Sequence, residues 1–353
     1  MPIALPDLAA LTALEFDEII DARSPAEYAE DHIPGALSLP VLSDDERARV
    51  GTIYKQQNPF AARKLGAALV ARNVAHHLDT VLADRPKGYR PLVYCWRGGQ
   101  RSGSFALILR QIGWQAETID GGYRSYRRLV NQALYDTPWP SPVIVLDGNT
   151  GTAKTDLLAL LAARGQQVID LEGMANHRGS LFGAMAGGQP AQKAFETRLA
   201  MAATALDPTR PVLVEAESSR VGERSLPPSL WQAMCAAPRI MVDAPLPARA
   251  AYLARRYTDV TNDPARLAAT LQALAPRHSA DRIDHWRALA EQGAFADLAG
   301  ALMGHHYDPL YAKQRGRYAD RVKATVTCDG LAPDDLDRLA DRIAEQVARL
   351  SGS

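Results

Sequence analysis

Short apolar runs bounded by glycine, proline or charge recur along the first third of the chain, at residues 18–23, 36–39, 91–95 and 116–119. Between them the apolar positions take helical spacing. From Arg63 to Leu82, for example, Leu65, Ala68, Leu69, Val74 and Leu78 fall on roughly one stripe. Strands alternating with helices predict a parallel sheet covered on both faces. The pattern stops at Thr137-Pro138-Trp139-Pro140-Ser141-Pro142. Proline at that density ends regular structure and stiffens a connection, so the chain divides there. Beyond it, Val143 to Leu146 reads as a buried strand, followed by the amphipathic Asp156 to Ala163. Further strands are expected at Val168 to Leu171, Pro211 to Val214 and Ile240 to Val242. From about Pro247 the chain reads as helices, with a late strand at Ala324 to Cys328. The expectation is an α/β protein: a domain over 1–136, a proline-rich linker over 137–142, and a second α/β domain over 143–353 with a helical C-terminal region.

A length of 353 residues agrees with two domains. The three cysteines, Cys95, Cys235 and Cys328, are far apart and form no CxxC pair. That argues against a disulfide framework or zinc site and for a reducing, cytoplasmic setting. Met1 to Ala10 lacks the basic segment and long apolar core of a secretory signal, and no apolar run reaches membrane length, so no membrane association is expected. Zero net charge hides an asymmetry. Residues 1–46 hold eleven acids and one base, Arg23, whereas residues 47–128 hold fifteen Lys/Arg and four acids. Two readings stay open: mutual neutralisation within one fold, or a basic surface suited to phosphate-bearing substrates or nucleic acid.

Candidate chemistry concentrates in two glycine loops. The first is Cys95-Trp96-Arg97-Gly98-Gly99-Gln100-Arg101-Ser102, between the strand-like Pro91 to Tyr94 and the helical Ser104 to Ile112. N–H groups at a helix N-terminus lower a thiol pKa and welcome an oxyanion. Gly98 and Gly99 let the backbone approach that anion, and Arg97 and Arg101 supply forked donors. Cys95 is therefore the candidate nucleophile. Cys235 and Cys328 lack such neighbours and read as structural.

The second loop is Gly148-Asn149-Thr150-Gly151-Thr152-Ala153-Lys154-Thr155, set between a strand and a helix as a phosphate-binding P-loop requires. Its N–H groups would cradle a pyrophosphate, Lys154 would reach the outer oxygens, and Thr155 can ligate magnesium. No tightly bound cofactor or protein-held metal cluster is expected. Ala153 stands where the pattern has glycine; a left-handed backbone there would cost ~1–2 kcal/mol. The later strands end in acids, Asp170 and Glu172, Glu215 and Glu217, then Asp243. Strand carboxyl ends line the ligand crevice of an open parallel sheet, so this set offers a metal ligand, a base or simple helix caps. The segment 313–323 adds a basic face through Lys313, Arg315, Arg317, Arg321 and Lys323, solvated or in contact with nucleic acid.

Asp21 to Tyr28, His32 to Ala36, the Cys95 loop and Gly121-Gly122-Tyr123 resemble a rhodanese domain. The spacing from Cys95 to Arg101 is one residue longer than the usual sulfurtransferase loop, which points to a larger transferred group. Fused to a P-loop domain, the chain resembles the bacterial tRNA 2-selenouridine synthase family. The resemblance rests most specifically on Val50 to Gln56, Tyr94 to Ser102 and Leu171 to Phe182, with Gln189 to Glu196, Val214 to Ser218 and Asp308 to Tyr311 adding to it.

That resemblance implies a transferase acting on the wobble 2-thiouridine of tRNA. Geranyl diphosphate alkylates the sulfur; selenophosphate then supplies selenium and geranylthiol leaves. On this reading the P-loop holds the geranyl diphosphate. The Cys95 loop takes selenium from selenophosphate, as a Cys–S–Se species, with Arg97 and Arg101 on the phosphate. His177 and Arg178, in the family-like stretch, are candidates for facing the diphosphate or the tRNA. Competing readings are a P-loop kinase or NTPase regulated by a rhodanese module, a plain sulfurtransferase, and a non-catalytic tRNA-binding protein.

Overall fold

The computed structural model describes residues 2–352, except the side chains of Gln314 and Arg315. Arg315 of the expected basic face therefore lies outside the described side chains. Two compact units emerge: the chain up to Pro138 together with Pro190–Ala205, and Trp139–Gln189 together with Leu206 onward.

The first unit holds four parallel strands, β1 (Glu18–Asp21), β2 (Leu37–Ser38), β3 (Pro91–Tyr94) and β4 (Glu117–Thr118), in the order β2-β1-β3-β4. From β1 the chain first adds a strand on one side and then crosses to the other. The carboxyl ends of β1 and β3 thus flank a topological switch point, where such sheets bind ligands. The helix Pro59–Asp79 begins earlier than its periodicity indicated, because the Asn58 side chain accepts the N–H groups of Phe60 and Ala61 and Pro59 fits the first turn. Its buried stripe is Ala62, Leu69, Val70 and Val74, while Ala68 faces solvent. A helix at Asp44–Gln56, started by a capping box of Ser43 and Glu46, had no counterpart in the apolar pattern.

The helix Gln192–Thr204 falls within the 143–353 stretch, yet it packs with the first unit. Its buried polar residues explain why. Thr197 donates to Asp31 Oδ2 at 2.9 Å, Glu196 accepts from Tyr135 at 2.7 Å and pairs with Arg127, and Arg127 also donates to the Lys193 carbonyl at 3.1 Å. Asp31, Tyr135 and Arg127 all belong to the N-terminal sheet unit, and they satisfy polar groups that the helix buries.

In the second unit β5 (Val143–Gly148), β6 (Gln167–Ile169), β7 (Val212–Glu215), β10 (Arg239–Asp243) and β11 (Val322–Thr327) form a parallel sheet ordered β11-β10-β5-β7-β6. The short pair β8 (Arg220–Val221) and β9 (Arg224–Ser225) is antiparallel. Helices Lys154–Ala163 and Pro333–Ser351 share one apolar core with the sheet. A second core, centred on the fully buried Trp286, joins helices between residues 258 and 302. β5 is central, with β7 and β10 on either side, so the loop after it also opens at a switch point. Among the described residues no helix is long and apolar enough to cross a membrane.

Candidate functional site: two anion cradles

The first cradle begins where β3 ends. Cys95 is buried, only 4% exposed, immediately after β3. Gly98 has φ +66°, and a Cβ there would lie 2.5 Å from the Ile119 carbonyl oxygen; no other residue fits that turn. Gly122 is equally constrained, because a Cβ would meet the Cys95 carbonyl oxygen at 2.2 Å. The Ser102 hydroxyl donates to Cys95 Sγ at 3.2 Å. Burial opposes ionisation of the thiol. Hydrogen bonds from the Ser102 hydroxyl and N–H, the Arg101 charge and the Arg97 N–H outweigh it and hold the pKa below its ordinary value. Cys328, by contrast, is pushed up by burial and nearby carboxylates.

Arg101 is fixed by two hydrogen bonds to Glu27, at 2.7 and 3.2 Å. Burial would raise the Glu27 pKa, but Arg101, the Ser24 N–H and Arg47 bring it down to about 2. Arg97 is exposed at the rim. Below the loop, Arg23 is buried on Asp21 at 2.6 Å, with its guanidinium 4.0 Å from the Tyr123 ring. Trp96 packs at 5.3 Å from Tyr123. A cavity of about 750 Å³ lies beside Gln100 and Arg101, against helices Asp44–Gln56 and Pro59–Asp79. The charge asymmetry is neutralised only in part. Arg47, Arg85, Arg90 and Arg101 pair with N-terminal acids, while Arg49, Lys55, Arg63, Lys64 and Arg72 stand exposed on the two helices.

The second cradle follows β5. Gly148 has φ +155° and Gly151 φ +84°, and the helix begins at Lys154. Ala153 takes a left-handed backbone, φ 58° and ψ 29°, the conformation for which the pattern uses glycine. Thr150 to Thr155 line a cavity of about 910 Å³ together with Asp170, Glu172, Glu215, Glu217 and Arg178. His177 does not line it; its Nδ1 accepts the Gly179 N–H at 3.1 Å and its backbone bridges to Ala184. Asp243 also stays away, its side chain exposed. Gly148 and Asn149 serve the cradle through their carbonyls, which accept from Lys154 Nζ at 3.1 and 3.4 Å.

The acids form a chain. Thr155 donates to Glu172 Oε2 at 2.8 Å, and the Glu172 N–H donates to Glu215 Oε1 at 2.8 Å. Glu215 Oε2 is buried with no partner. Burial, then repulsion from Glu172 and Asp170, holds Glu215 well above the carboxylate range. Burial and Glu172 push Glu217 up to about 8, against the pull of Lys154. Among the described residues no group of three or more His, Cys, Asp or Glu is arranged to hold a metal ion.

Several lining residues gave no signal in the sequence, notably Tyr257, Arg256 and Leu253. Tyr311 comes from the family-like stretch at 308–311, which Arg249 ties to the loop: it donates to both Asp308 oxygens, at 3.0 and 2.9 Å, and to the Thr150 carbonyl at 3.1 Å. Next to this cavity lies a smaller one, sharing Thr150, Ser180, Leu253 and Tyr257 with it. Its remaining walls include Phe182, Phe295, Leu298 and Leu302, and among the described residues none that lines it is charged.

A thiol loop at one switch point and a P-loop at another define a rhodanese-like unit joined to a P-loop unit. Family profiles agree, matching the rhodanese-like domain over residues 7–129 and the tRNA 2-selenouridine synthase AAA domain over residues 141–332. The tRNA 2-selenouridine synthase of Aeromonas salmonicida (strain A449) is 35% identical over 354 residues, covering 90% of this chain and 93% of that protein. The one from Bordetella bronchiseptica is 35% identical, over 87% of this chain and 90% of its own length. That of Hahella chejuensis is 32% identical, with 86% and 87% covered. The chain belongs to the tRNA 2-selenouridine synthase family.

Proposed function

We propose that this chain replaces the sulfur of a wobble 2-thiouridine in tRNA by selenium, using geranyl diphosphate and then selenophosphate. The observation that carries the reading is the pairing of a P-loop cavity rich in charge with an adjoining cavity free of it. A diphosphate head with a short hydrocarbon tail matches both halves; a nucleoside would leave its polar edges facing Phe182, Phe295 and Leu298.

In the first step the thiocarbonyl sulfur attacks the allylic carbon of the geranyl group. The carbon–oxygen bond breaks and its electron pair leaves with diphosphate, stabilised by Lys154 and the loop N–H groups. The base proton displaced by S-alkylation needs an acceptor near neutral pH, and Glu217 at about 8 is matched to that task. If magnesium accompanies the diphosphate, Thr155 and Glu215 Oε2 are the oxygen donors that would hold it. In the second step selenium replaces geranylthiol at the same carbon; the thiol is a better leaving group than sulfide. Selenophosphate is assigned to the Cys95 loop with Arg97 and Arg101 on its phosphate. The exposed bases Arg49, Lys55, Arg63, Lys64 and Arg72 fit the tRNA backbone.

Nucleoside mass spectrometry on tRNA treated with purified variants tests the division. Lys154→Ala should lose geranylation yet selenate pre-geranylated tRNA, and Cys95→Ala should stall at geranylated tRNA. Equal loss of both activities in Lys154→Ala would refute the assignment. Saturable ATP or GTP hydrolysis dependent on Lys154 would favour the NTPase reading instead.

A further inference from the structure

We propose that Cys95 attacks the phosphorus of selenophosphate, not its selenium, forming a cysteinyl-phosphate and releasing hydroselenide into the site. This rests on the reading that selenophosphate enters the Cys95 loop, and it replaces the Cys–S–Se carrier expected from the resemblance.

Electron balance decides between the two atoms. In selenophosphate the selenium is already at the selenide level and phosphorus at the phosphate level. Joining that selenium to a thiolate sulfur removes two electrons from the pair. They would have to leave on phosphorus, as phosphite, or pass to an oxidant. Attack at phosphorus needs neither. The sulfur–phosphorus bond forms, the phosphorus–selenium bond breaks, and the electron pair departs on selenium. Water then cleaves the sulfur–phosphorus bond, returning the thiol and inorganic phosphate. The freed hydroselenide is the nucleophile that the S-geranyl base requires.

The loop is built for a phosphoryl group. Five residues separate Cys95 from Arg101. Gly98 turns the backbone with a left-handed φ of +66° just before the N-terminus of the helix Gln100–Ile112. Arg101 is held in place by its two Nη bonds to Glu27, which leaves its Nε–H and outer Nη–H groups as the donors for phosphate oxygens. Glu27, ionised at about 2, is no proton donor, and a weakly basic leaving group such as hydroselenide needs none. Ser102 supplies the second half of the cycle. Its buried hydroxyl donates to Cys95 Sγ at 3.2 Å, so it stabilises the thiolate as the group that must leave when water attacks phosphorus.

The test is intact-mass spectrometry of the full chain, acid-quenched during its first turnover with selenophosphate and geranylated tRNA. The wild type should carry a transient mass gain of one phosphoryl group on Cys95. In Ser102→Ala the second step should slow by roughly 10–100-fold, as expected for a lost hydrogen bond to a charged atom. That variant should accumulate the phosphoryl adduct and release hydroselenide in a burst ahead of phosphate. The wild-type quench stands by itself if Ser102→Ala fails to fold. A selenium adduct on Cys95, or turnover of selenophosphate with no phosphoryl adduct, overturns the proposal while leaving the selenophosphate reading intact. A wild type that never consumes selenophosphate overturns that reading first.

Discussion

In the first cradle the carboxyl next to the anion loop, Glu27, is ionised at about 2 and serves to fix Arg101. In the second, burial and repulsion raise Glu172, Glu215 and Glu217, the last to about 8, beside a lysine. Yet the backbone device is the same in both: a buried parallel strand at a switch point, a glycine loop with positive φ, then a helix N-terminus. The backbone makes each loop a home for phosphate, and the side chains around it decide what happens to that phosphate. A thiol among arginine forks and an ionised acid invites nucleophilic attack on the bound group. A lysine among acids of raised pKa, with an apolar annex, invites departure of the bound group as an anion.

The largest test of that contrast is Arg101→Lys. The charge survives, but the two-pronged bond to Glu27 and the fork on phosphate do not. Selenation of pre-geranylated tRNA should fall by roughly 10²–10³-fold, the usual loss when one aimed donor is removed. Geranylation should persist, as single-turnover assays of each step will read. If both steps fall together, the two cradles do not divide the chemistry.

Filling the apolar annex sharpens the other half. Ala299 lines the charge-free cavity on the helix Phe295–Leu302. Ala299→Phe should lower the ratio of geranyl to dimethylallyl turnover by ~10-fold or more, since even one methylene is discriminated that strongly in an apolar pocket. Competition between the two diphosphates measures the ratio, which cancels any general loss of folded protein. An unchanged ratio would mean that the tail lies elsewhere.

Both loops were legible in the sequence because their logic is local: strand, glycines, helix and the reactive side chain lie within about ten residues. Four of the five strand-end acids were legible for the same reason, since an open parallel sheet directs its carboxyl ends to the crevice, whereas Asp243 stays outside it. What stayed hidden is long-range. Glu27 and Arg101 are 74 residues apart, and Arg249 and Asp308 59 apart, so nothing local pairs them. His177 adjoins Arg178 in sequence, yet only Arg178 faces the cavity. The helix Asp44–Gln56 buries no residue fully and so leaves no apolar stripe to read. The helix Gln192–Thr204 joins the first unit through buried polar contacts, which hydrophobic periodicity does not register.

A smaller effect probes the raised acids of the second cradle. Glu217 binds its proton more tightly folded than unfolded, so its contribution to stability is fully present below the unfolded value near 4.5 and is lost as pH rises through about 8. Chemical denaturation should therefore show stability falling with pH across that window, by up to ~1.4 kcal/mol per pH unit for each extra proton held. Glu217→Gln should flatten the slope and be the more stable protein at the upper end. The first unit carries the opposite sign through Glu27, whose contribution is present above an unfolded value near 4.5 and is lost as pH falls through about 2. A slope that Glu217→Gln leaves unchanged would show that the carboxyl is ionised in the native cradle.

The smallest expected effect concerns Ala153, the alanine in a left-handed loop position. Its backbone conformation costs ~1–2 kcal/mol relative to glycine. Against that, glycine loses ~0.4–1 kcal/mol more chain entropy on folding. The alanine methyl is also buried, at 4% exposure in the core beneath the loop, and contributes up to ~0.8 kcal/mol. The terms nearly cancel, which accounts for alanine in a loop whose pattern has glycine. Ala153→Gly should shift stability by less than ~1 kcal/mol and leave pyrophosphate affinity close to that of the wild type. Ala153→Val, which puts a β-branched side chain at the same positive φ, should destabilise clearly more. Thermal melts of the two variants check this, and a large gain in Ala153→Gly would mean that the loop stores strain which the methyl does not offset.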